Sequence, residues 1–356
     1  MKLFHNIYIA FMVLIFSIGI FIFSVYHYAF SGTSNKEILE TIVIEPGSIA
    51  SIATSLKEKN FIRNELAFKL YVKLTNKDNL KAGTYSLSKD MGLIEIINIL
   101  EDGNTFNDKE IQILFKEGLN MRKLTKVIVE NTNNTEDMVY DLLKDREYLN
   151  SLIDEYWFIN DDILDSDIYY SLEGYLFPST YFFSSKDVSV KDIFKTMLDE
   201  MEKQLNSYKE IINNSDNSFH ELLTLASIVE LEGVTLEDRK GIASVLYNRL
   251  DKKMSLGCDV TTYYGAKVDM SERDLYQDEL NECNGYNTRC ATFKGIPISP
   301  ICNPSLESIM AVLEPLEEDY LYFVADKNRK VYFNKNLNGH NNTIAKLKRE
   351  GLWYVY

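Results

Sequence analysis

The chain has no excess of positive charge: 38 Lys and Arg stand against 53 Asp and Glu, a formal net charge of −15. An acidic surface repels phosphate backbones, so there is no electrostatic basis for nucleic-acid binding. The sequence also lacks an H-E-x-x-H pair, a Gly-rich phosphate loop and a Ser/His/Asp signature, so no metalloprotease, nucleotide or triad chemistry competes for it. Cysteine is scarce. Cys258, Cys283, Cys290 and Cys302 all fall in one stretch of the C-terminal half. Their spacing matches no zinc pattern, which leaves disulfides in one of three pairings or buried reduced thiols.

Charge is missing altogether between Lys2 and Lys36. Residues 7–30 form an apolar run long enough to cross a hydrocarbon layer of roughly 30 Å. The run is longer than the core of a cleaved signal peptide and ends "YAFSGTS", a poor cleavage site. The expectation is an uncleaved signal anchor, with the short Lys2 flank inside and the remainder outside. Residues 1–36 are therefore assigned to a cytoplasmic stub, transmembrane anchor and linker.

What is present downstream is a 356-residue chain with ample apolar material for more than one core. After the anchor, a β-rich run at 41–44 leads through Pro46-Gly47 into apolar residues at helical spacing, Ile49, Ile52, Ala53 and Leu56. "AFKLYVKL" predicts a second helix, "AGTYSLS" a strand, and "MGLIEIINILEDG" a helix closed by Gly103. The order strand, turn, helix recurs from Glu110, a partial repeat. The aromatic stretch "YYSLEGYLFPSTYFF" is broken at Pro178 and reads first as core packing, second as a sugar-stacking wall.

The stretch "LASIVELEGV" places Glu230 and Glu232 in apolar surroundings, where a carboxylate is costly unless something compensates it. In a helix ending near Gly233, two positions apart means a turn of about 200°, so the two carboxyls diverge and do not form a dyad. One carboxyl is left for catalysis and one for a partner of another kind; the periodicity does not say which is which. Downstream, Thr235 is placed to cap the next helix with Asp238 as its box partner, and Arg239 and Arg249 are candidate partners for a glutamate.

These residues carry a resemblance. "ASIVELEG", then "SVLYNRL" and "GCDVTTYYG", resemble the signature of the endolytic murein transglycosylases, the YceG-like or MltG family. "LEGYLFPSTY", "YNT", "GIPISPICNPS", "DYLYFVAD" and "HNNTI" fit in the same order, and "IEPGSIASIATSL" with "LKAGTYSLS" is similar to the family's LysM-like module. The resemblance implies an α+β protein with an N-terminal transmembrane helix, a LysM-like α/β module at 37–108 and a mixed α+β catalytic domain at 109–356. It implies a lyase of the bacterial cell membrane, with its catalytic domain extracytoplasmic. Such an enzyme cleaves MurNAc–GlcNAc β-1,4 bonds in nascent peptidoglycan, leaves 1,6-anhydro-MurNAc ends and terminates elongation. No metal or organic cofactor is implied; glycan strands, peptidoglycan synthases and the membrane are the implied partners.

By position the resemblance puts the catalytic acid on Glu230, kept neutral by an apolar wall of Leu225, Ile228 and Val229. One carboxyl suffices in this chemistry, because the sugar's own C6 hydroxyl attacks C1 where an ordinary glycosidase needs a second carboxylate. Glu232 matches a second acidic residue of the motif. Asp259 is expected to stabilise positive charge, Tyr263 and Tyr264 to stack on a sugar, and Tyr286, Asn287 and Thr288 to meet the substrate, with the last two bonding acetamido groups. Glu173 and Tyr175 join the candidate substrate-binding residues by their motif. Val260, Cys258, Ser299, Ser305 and Arg289 depart from the family's usual pattern. The rival readings are a non-catalytic glycan-binding scaffold and a hydrolytic muramidase with Asp259 facing Glu230.

Overall fold

The computed structural model describes residues 2–34, 36, 38–103 and 110–353. The chain divides into two compact units, 1–109 and 110–356, each with its own apolar core.

The first unit opens with helix α1 (Lys2–Phe30), most of whose first fifteen side chains lie outside the described residues. Among the described residues no helix is long and apolar enough to cross a membrane. The order continues as β1 (Leu39–Ile44), α2 (Ile49–Glu58), α3 (Glu65–Thr75), β2 (Gly83–Ser88) and α4 (Leu93–Asp102). β1 and β2 pair antiparallel, with Ile42 opposite Tyr85. Alternation explains the strand: Ile42 and Ile44 point into the core while Thr41 and Val43 face outward. Ser48 and Asn64 cap α2 and α3 by accepting the backbone N–H groups of Ser51 and Ala67.

The second unit begins with β3 (Ile111–Phe115) and α5 (Met121–Asn131), the recurrence of strand, turn and helix expected from the sequence. It continues through α6 (Glu136–Leu142), α7 (Arg146–Glu155), β4 (Ser179–Phe183), α8 (Val190–Leu205), α9 (Lys209–Asn213), α10 (Phe219–Glu232), α11 (Leu236–Asp251), α12 (Asp259–Gly265), α13 (Gln277–Asn281) and α14 (Leu306–Leu313). A small β5 (Tyr322–Ala325), β6 (Val331–Asn334), α15 (Leu337–Arg349) group ends it. β3 pairs antiparallel with β4, which starts directly after Pro178, so the aromatic stretch is partly strand. Tyr175, Phe177, Tyr181 and Phe183 are buried in the core, as the packing reading expected. α10 sits at the centre. Every residue from Phe219 to Val229 except Glu221 is buried, so helix amphipathicity is lost along it, as befits a helix covered on all sides.

Candidate active site

α10 is started by a full capping box between Ser218 and Glu221 and stopped at Gly233. α11 starts three residues later with a second box, Thr235 with Asp238. A Cβ on Gly233 would stand 2.7 Å from the Arg239 Cγ and 3.2 Å from its backbone N and Cα. Only glycine allows so tight a reversal, and the reversal brings Arg239 back beside Glu230.

Glu230 is held from three sides. Arg239 donates to Oε1 at 3.0 Å, and the Ser305 N–H, Ser305 hydroxyl and Ser308 hydroxyl donate to Oε2 at 2.9, 2.5 and 2.7 Å. Its side chain is only 7% exposed. Both oxygens therefore face an obligate donor, and Oε2 takes three donors while Oε1 takes the arginine alone. The expected apolar wall does not enclose this carboxyl. Leu225, Ile228 and Val229 point into the core, whereas the Glu230 carboxyl closes the N-terminus of α14 and ties it to α11. Neither Ser305 nor Ser308 was foreseen as a partner. The signal for them was slight: a serine after Pro304 with a second serine three positions on, a helix start whose free N–H groups favour an anion.

Glu232 sits in a different field. It is half-buried, and among the described residues no hydrogen bond reaches its carboxyl. Burial pushes the carboxyl up to about 7; the neighbouring negative charge of Asp259 adds to the shift and Arg289 opposes it. Asp259, the first residue of α12, is ion-paired with Arg289, and both side chains are about half exposed. Asp259 thus lies in the field of Glu232, not of Glu230 as the hydrolase reading expected, and is paired with Arg289.

The remaining candidates build this corner from inside. Glu173 is buried; its Oε2 accepts the Met121 N–H at 2.9 Å and the Tyr264 hydroxyl at 2.8 Å, while Oε1 is buried without a partner. Burial raises its carboxyl to about 7. Tyr264 was expected on a sugar face, but it packs between Tyr169 and Tyr286 and is nearly inaccessible. The Tyr286 hydroxyl accepts the Tyr169 N–H and meets Ser299. Asn287 accepts from the Thr262 hydroxyl and the Arg289 N–H and donates to the Leu280 and Glu282 carbonyls. Thr288 bonds Thr261 and the Cys258 N–H. Tyr175 is buried against His220 at 2.9 Å. These five side chains spend their polar atoms on the protein, so they fix the walls and are not presented to an acetamido group or sugar ring. Tyr263 is half-buried on the same short helix and engaged within the protein. Arg249, the other candidate partner for a glutamate, instead donates to the Leu321, Ser255 and Leu256 carbonyls.

Two loops complete the corner. Cys283 and Cys290 form a disulfide that closes the turn carrying Tyr286 to Arg289, while Cys258 and Cys302 are free and buried. Asn303 stitches the other loop: it exchanges backbone bonds with the 118–119 turn and accepts the Leu176 N–H.

The YceG-like family model matches residues 42–346. The chain belongs to the YceG-like family. It is 38% identical over 300 residues to an endolytic murein transglycosylase of Bacillus subtilis, covering 84% of this chain and 82% of the relative. It is 30% identical over 331 residues to one of Streptococcus pneumoniae, covering 88% of this chain and 59% of that protein. A solved YceG-like protein from Listeria monocytogenes superposes with a TM-score of 0.61 at 35% identity, over 86% of this chain and all of that one.

Proposed function

We propose that this YceG-like protein is an endolytic murein transglycosylase that cleaves MurNAc–GlcNAc β-1,4 bonds within glycan strands and leaves 1,6-anhydro-MurNAc ends. The observation that carries the mechanism is the contrast between its two neighbouring carboxyls. Glu230 accepts four hydrogen bonds from Arg239, Ser305 and Ser308 and serves to hold α10, α11 and α14 together. Glu232 has a carboxyl raised to about 7 and free of hydrogen bonds among the described residues, so it is the proton donor.

In the reaction, the Glu232 carboxyl gives its proton to the leaving O4 as the C1–O4 bond breaks. The C6 hydroxyl oxygen of the same muramyl ring then bonds C1, and its proton passes to the Glu232 carboxylate, which restores the acid. No water is consumed. A hydrolytic muramidase would need a second free carboxylate. The nearest candidate, Asp259, is paired with Arg289, which favours the lytic route.

The β1-α2-α3-β2 order of the first unit supports a LysM-like glycan-binding module. The uncharged stretch between Lys2 and Lys36 supports a single-pass anchor in the bacterial cell membrane with both units outside. From that position the enzyme terminates elongation of nascent strands made by peptidoglycan synthases. The test is mass spectrometry of strand ends after incubation with uncrosslinked glycan: anhydro ends support this reading, reducing ends a hydrolase, and intact strands a binding protein.

A further inference from the structure

A cavity of about 540 Å³ lies away from Glu232. It opens between α6, α7 and the 164–171 segment. Five of its lining side chains are charged, the acidic Asp137, Asp141 and Asp165 and the basic Lys144 and Arg146. Among the described residues neither cation lies within ion-pairing distance of a carboxylate. Ordinary surface charges are solvated singly; here both signs line one concavity unneutralised. Its apolar lining includes a stacked pair, Tyr140 on Tyr170, at 5.7 Å, beside four aliphatic side chains.

The cavity shares a wall with the reaction centre. Tyr169 lines it, donates its hydroxyl to the Gly265 carbonyl at 2.8 Å, and packs on Tyr264 and Tyr286. Gly265 ends the seven-residue helix that Asp259 begins. A helix of that length spans about 10 Å, so a substrate lying past Glu232 has a branch within reach of the cavity.

We propose that this cavity is a stem-peptide subsite: it takes the peptide branch of murein, and not a further sugar of the strand. While its lactyl carboxyls are amide-linked to the peptide the glycan itself is uncharged, whereas the peptide branch carries carboxylates and the free amine of its diamino acid. The carboxylates match Lys144 and Arg146 and the amine matches the three aspartates, while the tyrosine pair covers the peptide's aliphatic portions. The proposal rests on the murein reading of the function, and its test is arranged so that the two fail separately.

The full chain is titrated with synthetic stem tetrapeptide, L-alanyl-γ-D-glutamyl-(diamino acid)-D-alanine, and binding is read by amide chemical shifts or calorimetry. The Lys144→Glu, Arg146→Glu double variant, in which both exposed side chains change sign, should bind about tenfold more weakly with an unchanged melting temperature. In parallel, cleavage is compared on peptide-bearing strands and on strands stripped of peptide by an amidase. The wild type should prefer the former and the double variant should lose that preference while cutting stripped strands at the wild-type rate. Absence of tetrapeptide binding, or an unchanged preference in the variant, overturns the subsite. Binding of a peptide-free chitin-type oligosaccharide that competes at the same residues overturns it in favour of a sugar subsite. If neither strand type is cut, the transglycosylase reading fails, and the tetrapeptide titration still decides the subsite.

Discussion

Glu230 and Glu232 are separated by one residue and differ in every partner. The first is a buried carboxyl that accepts from four donors; the second is a carboxyl raised by burial and by the negative charge of Asp259. Glu232→Gln should therefore lower formation of anhydro ends by about 10³-fold without loss of fold. With a carboxyl titrating at about 7, the rate should fall as pH rises through that value, because only the protonated form can donate; a rate–pH profile checks it. Arg239→Ala should instead act through stability: it strands the Glu230 charge among α10, α11 and α14 and should cost about 3 kcal/mol in denaturant unfolding. Glu173 makes a further pH prediction. Its folded-state value is raised from 4.5 to about 7, so its contribution is fully present below about 4.5 and is lost as pH rises through about 7. The loss is about 3 kcal/mol at most, and Glu173→Gln should flatten the dependence of melting temperature on pH over that window.

At the scale of elements, the pieces that rest on local chemistry were legible. The strand and helix at 41–58, the strand at Gly83–Ser88, the helix closed at Gly103, the break at Pro178 and the Thr235–Asp238 box all follow from periodicity and capping. The divergence of the two glutamates was also legible, because it is a property of a single helix. Their roles were not, because these depend on what approaches from distant sequence: Ser305 and Ser308 come from 75 and 78 positions away. The same holds for Tyr264, Tyr286, Asn287 and Thr288, whose exposure was inferred from aromatic or polar type and is cancelled by long-range packing. The cysteines left two disulfides in any of three pairings, or four reduced thiols, open because spacing alone cannot choose; the structure has neither, with one disulfide at the turn that brings Cys283 to Cys290 and with Cys258 and Cys302 free and buried. Reducing that disulfide should destabilise the loop by about 2 kcal/mol and lower activity, as a melt and an assay with and without reductant would show. Gly174→Ala should also be costly. Its φ of +88° disfavours any side chain, and the added Cβ would meet the Pro300 ring at 2.4 Å.

For the whole molecule, two separate cores predict two cooperative units. Calorimetry should show two transitions, and core substitutions in the first unit, such as Phe68→Ala, should lower one of them by the equivalent of about 3 kcal/mol while sparing the other. The division of labour also predicts that such a variant, below its first transition, still forms anhydro ends on soluble strands.

The central claim is that the proton comes from position 232 while position 230 holds helices together. The most direct measurement is mass spectrometry of strand ends made by folded Glu230→Gln and Glu232→Gln proteins side by side. Anhydro ends from the former and none from the latter are predicted; a Glu232→Gln protein that cuts like wild type, beside a folded Glu230→Gln protein that does not cut, would contradict it.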